Sequence, residues 1–266
     1  MTVRASLDSR VIQALEGRAV ASTGDGLGGV VTSIYKPVQS QMADLELKLD
    51  GVIEDAPPDL ADMLAHALRG GGKRLRPALV LLAGSAYPGR AEPLVSMALG
   101  YELLHTATLV HDDTIDNALT RRGRLTVNRL WSNSNAVLLG DYLGGCSALM
   151  TAETGSLRAM EIFSQALADI CGGAIAEHVA GSRKGRDEYF ATISGKTASL
   201  FSAATESGAV LSKAPKKAVR AIRSYGYNLG AGIQTGGRST TIRNCLVMNN
   251  WASGHAGGRR FHDGSS

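Results

Sequence analysis

Aromatic residues are scarce in this chain: 4 Phe, 7 Tyr and 2 Trp make up 5% of its 266 residues. Strand-rich proteins lean on aromatic and β-branched side chains, and no run of alternating β-branched residues offsets the shortage, so a sheet-based architecture is not expected. Proline is sparse too, at 7, which leaves long stretches free of helix breakers. There are three cysteines, Cys146, Cys171 and Cys245, and they stand far apart. That spacing argues against a disulfide framework or a zinc knuckle and leaves three small buried or incidental thiols. No apolar run reaches the roughly 18–20 residues that a bilayer-spanning helix needs, so no transmembrane segment is expected. The opening MTVRASLDSR lacks the apolar core of a secretory signal, and a cytoplasmic, reducing location is the expectation. Strong charge of one sign is missing from the body: of the net +4, residues 235–266 carry +3 and residues 32–234 only +1. Nucleic-acid binding by the body is therefore not indicated.

What is present is helical pattern. Ala, Leu, Ile and Met recur at 3.6-residue spacing over about 59–68, 73–86, 93–115, 134–151, 156–180, 186–207 and 213–230, which predicts an all-α bundle. Three zones follow. Residues 1–31, Gly-rich toward their end, read as a flexible extension. Residues 32–234 form one helical domain. Residues 235–266 have no helical or strand period and hold six glycines, and they begin where a helical pattern breaks off.

At the end of the 93–115 pattern stands His111-Asp112-Asp113-Thr114-Ile115-Asp116, with Arg121-Arg122-Gly123 just beyond. On a helix Asp112 and Asp116 are i,i+4 neighbours and share a face. Paired carboxylates there strain stability but suit hard, oxygen-loving Mg²⁺, which takes one or two carboxylates plus phosphate oxygens. The two guanidiniums can then meet phosphates through forked, charge-assisted hydrogen bonds. Alone, the motif reads equally as a solvated acidic helix end beside a basic loop.

It is not alone. Upstream lie Gly71-Gly72-Lys73-Arg74-Leu75-Arg76-Pro77 and Glu102-Leu103-Leu104-His105-Thr106-Ala107-Thr108. Downstream lie Gly140-Asp141-Tyr142, Gly195-Lys196-Thr197, Tyr225-Gly226-Tyr227-Asn228-Leu229-Gly230 and Gln234. In this order and at these separations the set closely resembles the trans-isoprenyl diphosphate synthases, the all-α head-to-tail prenyltransferases, over about residues 32–234. The resemblance implies an isoprenoid-synthase-type helical bundle that condenses isopentenyl diphosphate with an allylic diphosphate. It assigns Asp112, Asp113 and Asp116 to Mg²⁺ and to catalysis, with Lys196 among the catalytic residues. Arg121, Lys196 and Gln234 match contacts to the allylic diphosphate, with Thr197 beside them. Lys73, Arg76, His105 and Arg122 match the isopentenyl diphosphate pocket. Lys73 and Arg76, three apart on the expected 73–86 helix, would share a face and converge on one diphosphate. A homodimer, or a heterodimer with a synthase subunit, is the implied assembly.

Two further expectations come from that resemblance. Ala107 and Thr108, with Leu104 a turn further on, occupy the positions that face the elongation pocket. Short-chain members tend to place an aromatic ring there, so Ala107 implies a product longer than geranylgeranyl. The family's second aspartate pair, a few residues after Gln234, is replaced by Gly237 and Arg238, and the helices beyond are absent. The bundle is thus expected to be incomplete at its C-terminus and the chain impaired. Codons permitted for Thr235 to Arg243, read one nucleotide later, can encode Val-Asp-Asp-Leu-Leu from two residues after Gln234, so residues 235–266 are read as a frameshift product or a sequencing error. A non-catalytic subunit that pairs with an intact synthase is the alternative function.

Overall fold

The structure, a computed structural model, describes residues 34–70, 72–180 and 198–235. After a 3-10 turn at Lys36–Val38 come α1 (Gln39–Glu54), α2 (Pro58–Leu68), α3 (Leu75–Ser85) and α4 (Ala91–Ile115). A hairpin, β1 (Thr120–Arg121) with β2 (Arg124–Leu125), then leads to a short α5 (Val127–Leu130). The chain continues through α6 (Asn133–Ala152), α7 (Leu157–Ala180), α8 (Ser199–Leu211) and α9 (Lys216–Thr235). Among the described residues no helix is long and apolar enough to cross a membrane.

α4 is the axis of the bundle and packs along α6, α3 and α1, while α8 packs on α3, α7 and α9. Every residue from Leu94 to Leu104 is buried, with Tyr101 fully enclosed, and a helix apolar on all sides belongs inside. The Tyr101 ring meets Phe163 of α7 edge-on, and its hydroxyl lies 2.9 Å from Ser207 Oγ of α8, so one side chain ties three helices together. Ser132 caps α6 by accepting from the Asn135 amide, and Ser156 caps α7 by accepting from Ala159. α3 and α8 approach so closely at Gly208 that a Cβ there would lie 2.2 Å from the Val80 carbonyl oxygen.

The all-α reading holds, with corrections at several edges. The 73–86 helix starts only at Leu75 because Arg74 is left-handed, at φ 47°. The first helix of the domain, α1, had no separate place in the sequence reading. The helix expected over 186–207 is described from Ser199 and runs on to Leu211, since residues 181–197 lie outside the described set. The helix expected from 213 begins at Lys216, behind Pro215. Between them Lys213 takes a left-handed φ of 58°, and its amide and that of Ala214 close onto Val210 and Ala209. The hairpin is the one departure from helix among the described residues that forms regular structure.

Candidate functional site

The acidic run occupies the last turn of α4. Asn117, at φ 50°, ends the helix: its amide bonds Thr114 and the Ala118 amide bonds Asp113, a paired closure that satisfies the final carbonyls. Asp112, Asp113 and Asp116 therefore sit at the negative end of a 25-residue helix with no basic residue in its last turn. The helix dipole disfavours anions there and favours a bound cation.

The chain then reverses in the hairpin. Arg122 at φ 52° and Gly123 at φ 77° are both left-handed, the conformation a two-residue turn needs to match strand twist. This tight turn sends Arg121 back onto α4, where its Nε–H donates to both oxygens of Asp113 at 2.9 and 2.8 Å. Asp113 is buried, and the hydrogen bond to its carboxylate raises the Arg121 pKa against the opposing effect of burial. Arg122 reaches the other way: a Cβ on Gly72 would stand 3.1 Å from its Nη1, so a glycine there leaves the guanidinium its place. The hairpin is fastened to α2 by His66, whose Nε2 lies 2.8 Å from the Leu125 carbonyl, and whose Nδ1 lies 3.0 Å from Arg124 Nη2.

One cleft results, and Arg74, Glu102, His105, Asp113, Arg121 and Arg122 are on its wall. His105 is half-buried and its pKa is held well below the usual histidine value, first by burial and then by Arg76, Arg122, Arg121 and Arg74. It is a neutral imidazole surrounded by cations. Arg76 stacks its guanidinium 4.7 Å over the Phe201 ring, and its Nε is buried without a hydrogen-bond partner. Burial lowers its pKa to about 10; Glu102 opposes that and Arg122 reinforces it. Of the guanidiniums around this neutral histidine, Arg74 and Arg121 are paired with carboxylates, and the cluster suits an anion that can take forked hydrogen bonds.

The placement of Lys73 needs correction. It precedes α3 and is exposed, so it does not share a helical face with Arg76. Neither residue is on the wall of the cleft, and neither are Asp112 and Asp116. Among the described residues no three His, Cys, Asp or Glu side chains are gathered as a metal cluster. Asp112, Asp113 and Asp116 are nonetheless all carboxylates at a negative helix end, a chemistry that suits a hard divalent cation. Ala107 and Leu104 are buried in the core, and Thr108 donates to the His105 carbonyl at 2.8 Å. Gly140-Asp141 is mid-helix in α6, not at a helix start. A Cβ on Gly140 would lie 2.1 Å from His111 Nε2, which also stands 3.5 Å from Asp141 Oδ1. Lys196, Thr197, Gly237 and Arg238 lie outside the described residues, as does the side chain of Gln234.

The sequence reading missed Arg74, Glu102, Glu46 and Tyr35 as site residues. Arg74 is buried and donates to Glu46 at 3.0 Å, to Glu102 at 2.5 Å and to the Leu68 carbonyl at 3.0 Å. Burial works against its charge, but Glu102 and Glu46 outweigh it and raise its pKa. A carboxylate at Glu102 amid an apolar helical run was the available signal, since such a group must find a cation inside.

Comparison with known proteins gives consistent matches. The sequence model of the polyprenyl synthetase family matches residues 57–235. Component 2 of heptaprenyl diphosphate synthase from Geobacillus stearothermophilus is 34% identical over 204 residues, 76% of this chain and 64% of that protein. The crystal structure of a decaprenyl diphosphate synthase from Rhodobacter capsulatus superposes with a TM-score of 0.72 at 38% identity, covering 77% of this chain and 64% of that one. A polyprenyl synthase from Caulobacter crescentus, crystallised with calcium and isoprenyl diphosphate, gives 0.71 at 30% identity, covering 77% and 63%. The chain thus spans a little under two thirds of the length of these relatives.

Proposed function

The chain belongs to the polyprenyl synthetase family, and on that footing we propose that it derives from a head-to-tail prenyltransferase joining isopentenyl diphosphate to an allylic diphosphate. The observation that carries this reading is the convergence of His105, Arg121 and Arg122 on one cleft beside Asp113. Arg121, bonded to Asp113 at the end of α4, is placed to hold the allylic diphosphate. Arg122 and the neutral His105 on the cleft wall are assigned to the isopentenyl diphosphate, and Arg76 and the exposed Lys73, off that wall, add positive charge. Mg²⁺ held by Asp112, Asp113 and Asp116 would neutralise the leaving diphosphate. Ala107 and Leu104 are buried about one and two turns before the acidic run, where the proposed elongation pocket would lie. A product longer than geranylgeranyl accords with a small side chain at Ala107 and with the heptaprenyl and decaprenyl activities in the names of the relatives.

The chain as it stands is impaired in this reading. Gly237 and Arg238 stand where the family's second aspartate pair is expected. Ile175 and Val179, at the end of α7, are 64% and 80% exposed. Incubation of the 266-residue chain with farnesyl diphosphate, labelled isopentenyl diphosphate and Mg²⁺ should give little or no elongation, while isopentenyl diphosphate still binds. Robust elongation would overturn the impairment, and loss of all diphosphate binding would overturn the assignment. The genomic frame past Gln234 tests the origin of the tail: a single-base change should restore an open frame encoding Asp-Asp.

A second reading has its own support. On α6, Leu138, Tyr142 and Leu149 form an exposed apolar stripe, with Leu138 at 65% and Leu149 at 59%. This face suits pairing with a second copy or with a synthase subunit, and the Geobacillus relative is by name one component of a synthase. A non-catalytic partner would copurify with an intact synthase and change its product length.

A further inference from the structure

We propose that Arg74 is a positioning residue that orders the Gly72–Lys73 approach to α3 and thereby builds the isopentenyl diphosphate half of the site but not the allylic half. The inference rests on the prenyltransferase reading above and names the group that gives its second substrate a formed pocket.

Arg74 does three jobs from one position. Its backbone is left-handed, at φ 47° and ψ 38°, a conformation disfavoured for a side chain with a Cβ, and its carbonyl accepts from Ala78 in the first turn of α3. Its guanidinium is buried and reaches three separate elements: Glu46 on α1, the Leu68 carbonyl at the end of α2, and Glu102 on α4. These contacts hold the chain in the strained conformation, which a residue with looser partners would relax. Next door, the Tyr35 hydroxyl donates to the Lys73 carbonyl at 2.5 Å, so the residue before Arg74 is fixed by its backbone. Burial and the nearby Glu102 push the Tyr35 phenol up to about 12, which keeps it protonated as that donor.

The groups that adjoin the pinned segment are those assigned to one substrate. Lys73 precedes Arg74, Gly72 abuts the Arg122 guanidinium, Arg76 lies two residues on, and Glu102 is three residues before His105 on the same helix. Lys73, Arg76, His105 and Arg122 all belong to the isopentenyl diphosphate set. Arg121 and the acidic run, in contrast, are fixed by the end of α4 and by the hairpin, with no contact to Arg74 among its hydrogen bonds. A lysine at 74 keeps the charge but not the fork that bridges α1, α2 and α4. A phenylalanine at 35 keeps the packing and removes only the hydroxyl that holds the Lys73 carbonyl.

The test is calorimetric binding to the full 266-residue chain, with isopentenyl diphosphate and, separately, a non-hydrolysable farnesyl thiodiphosphate with Mg²⁺. Arg74→Lys should weaken isopentenyl diphosphate about tenfold or more, as expected for loss of oriented charge-assisted contacts. Tyr35→Phe should weaken it severalfold. Both should leave the farnesyl analogue within about twofold, a split that general loss of fold does not produce. Parent-like affinity for isopentenyl diphosphate in both variants, or equal weakening of both ligands, overturns the inference and leaves the functional reading standing. A parent chain that binds neither ligand overturns the functional reading, and the inference falls with it.

Discussion

Asp113 is held by a cation within the fold, because one Arg121 Nε–H meets both of its oxygens. A divalent ion and Arg121 therefore compete for it. Arg121→Ala should tighten Mn²⁺ or Ca²⁺ binding measured without substrate, and weaken binding of an allylic diphosphate analogue by about 10- to 100-fold. Opposite signs in the two titrations are the expected result. His105 supplies a second residue-level expectation. Its pKa lies well below the ordinary histidine value of about 6.5 that applies to the unfolded chain. Between those two values the unfolded state binds about one more proton, so the stability contributed by neutral His105 is present at higher pH and lost as pH falls below about 6.5. His105→Gln should flatten that acid limb in urea-unfolding curves taken at several pH values. Added inorganic diphosphate should raise the His105 pKa in an NMR titration, since an anion in the cleft offsets the arginines that help hold it down.

Single atoms set the distance between helices. α6 carries two glycines of opposite character: Gly140 lies under the His111 ring, whereas a Cβ on Gly144 would meet nothing within 4 Å. Gly144→Ala should stabilise by about 0.5–1 kcal/mol through helix propensity and reduced chain entropy. Gly140→Ala should destabilise by about 1–3 kcal/mol from overpacking, and His111→Ala in the same chain should recover most of it. Thermal melts of the three variants check both signs. Helix existence was legible from sequence because 3.6-residue periodicity is local. Helix starts were less so: Arg74 and Lys213 are non-glycine residues held left-handed by their surroundings, and no local preference announces them. The hairpin at 120–125 was missed for a related reason. Four strand residues give no alternating pattern, although Arg122-Gly123 holds the glycine that its turn requires.

Taken whole, the molecule is a bundle wrapped on α4 that spans a little under two thirds of its relatives' length and exposes apolar stripes on α6 and α7. Leu138→Glu with Tyr142→Glu should convert an associated chain to monomer in sedimentation runs without lowering its helical content, because both side chains are exposed on α6. The helical class and the family could both be read without coordinates. Periodicity and the order of the family's motifs are written along the chain and need no contacts to be recognised. How those groups are used is a different matter, and it came only from packing. The bundle pairs Asp113 with Arg121, leaves Lys73 exposed and off the helix, and sets the Gly140 backbone directly beneath the His111 ring. It also buries Arg74 between Glu46 and Glu102, each 28 positions away in opposite directions along the chain. Such pairings depend on which helices meet, and periodicity within one helix carries no record of its neighbour.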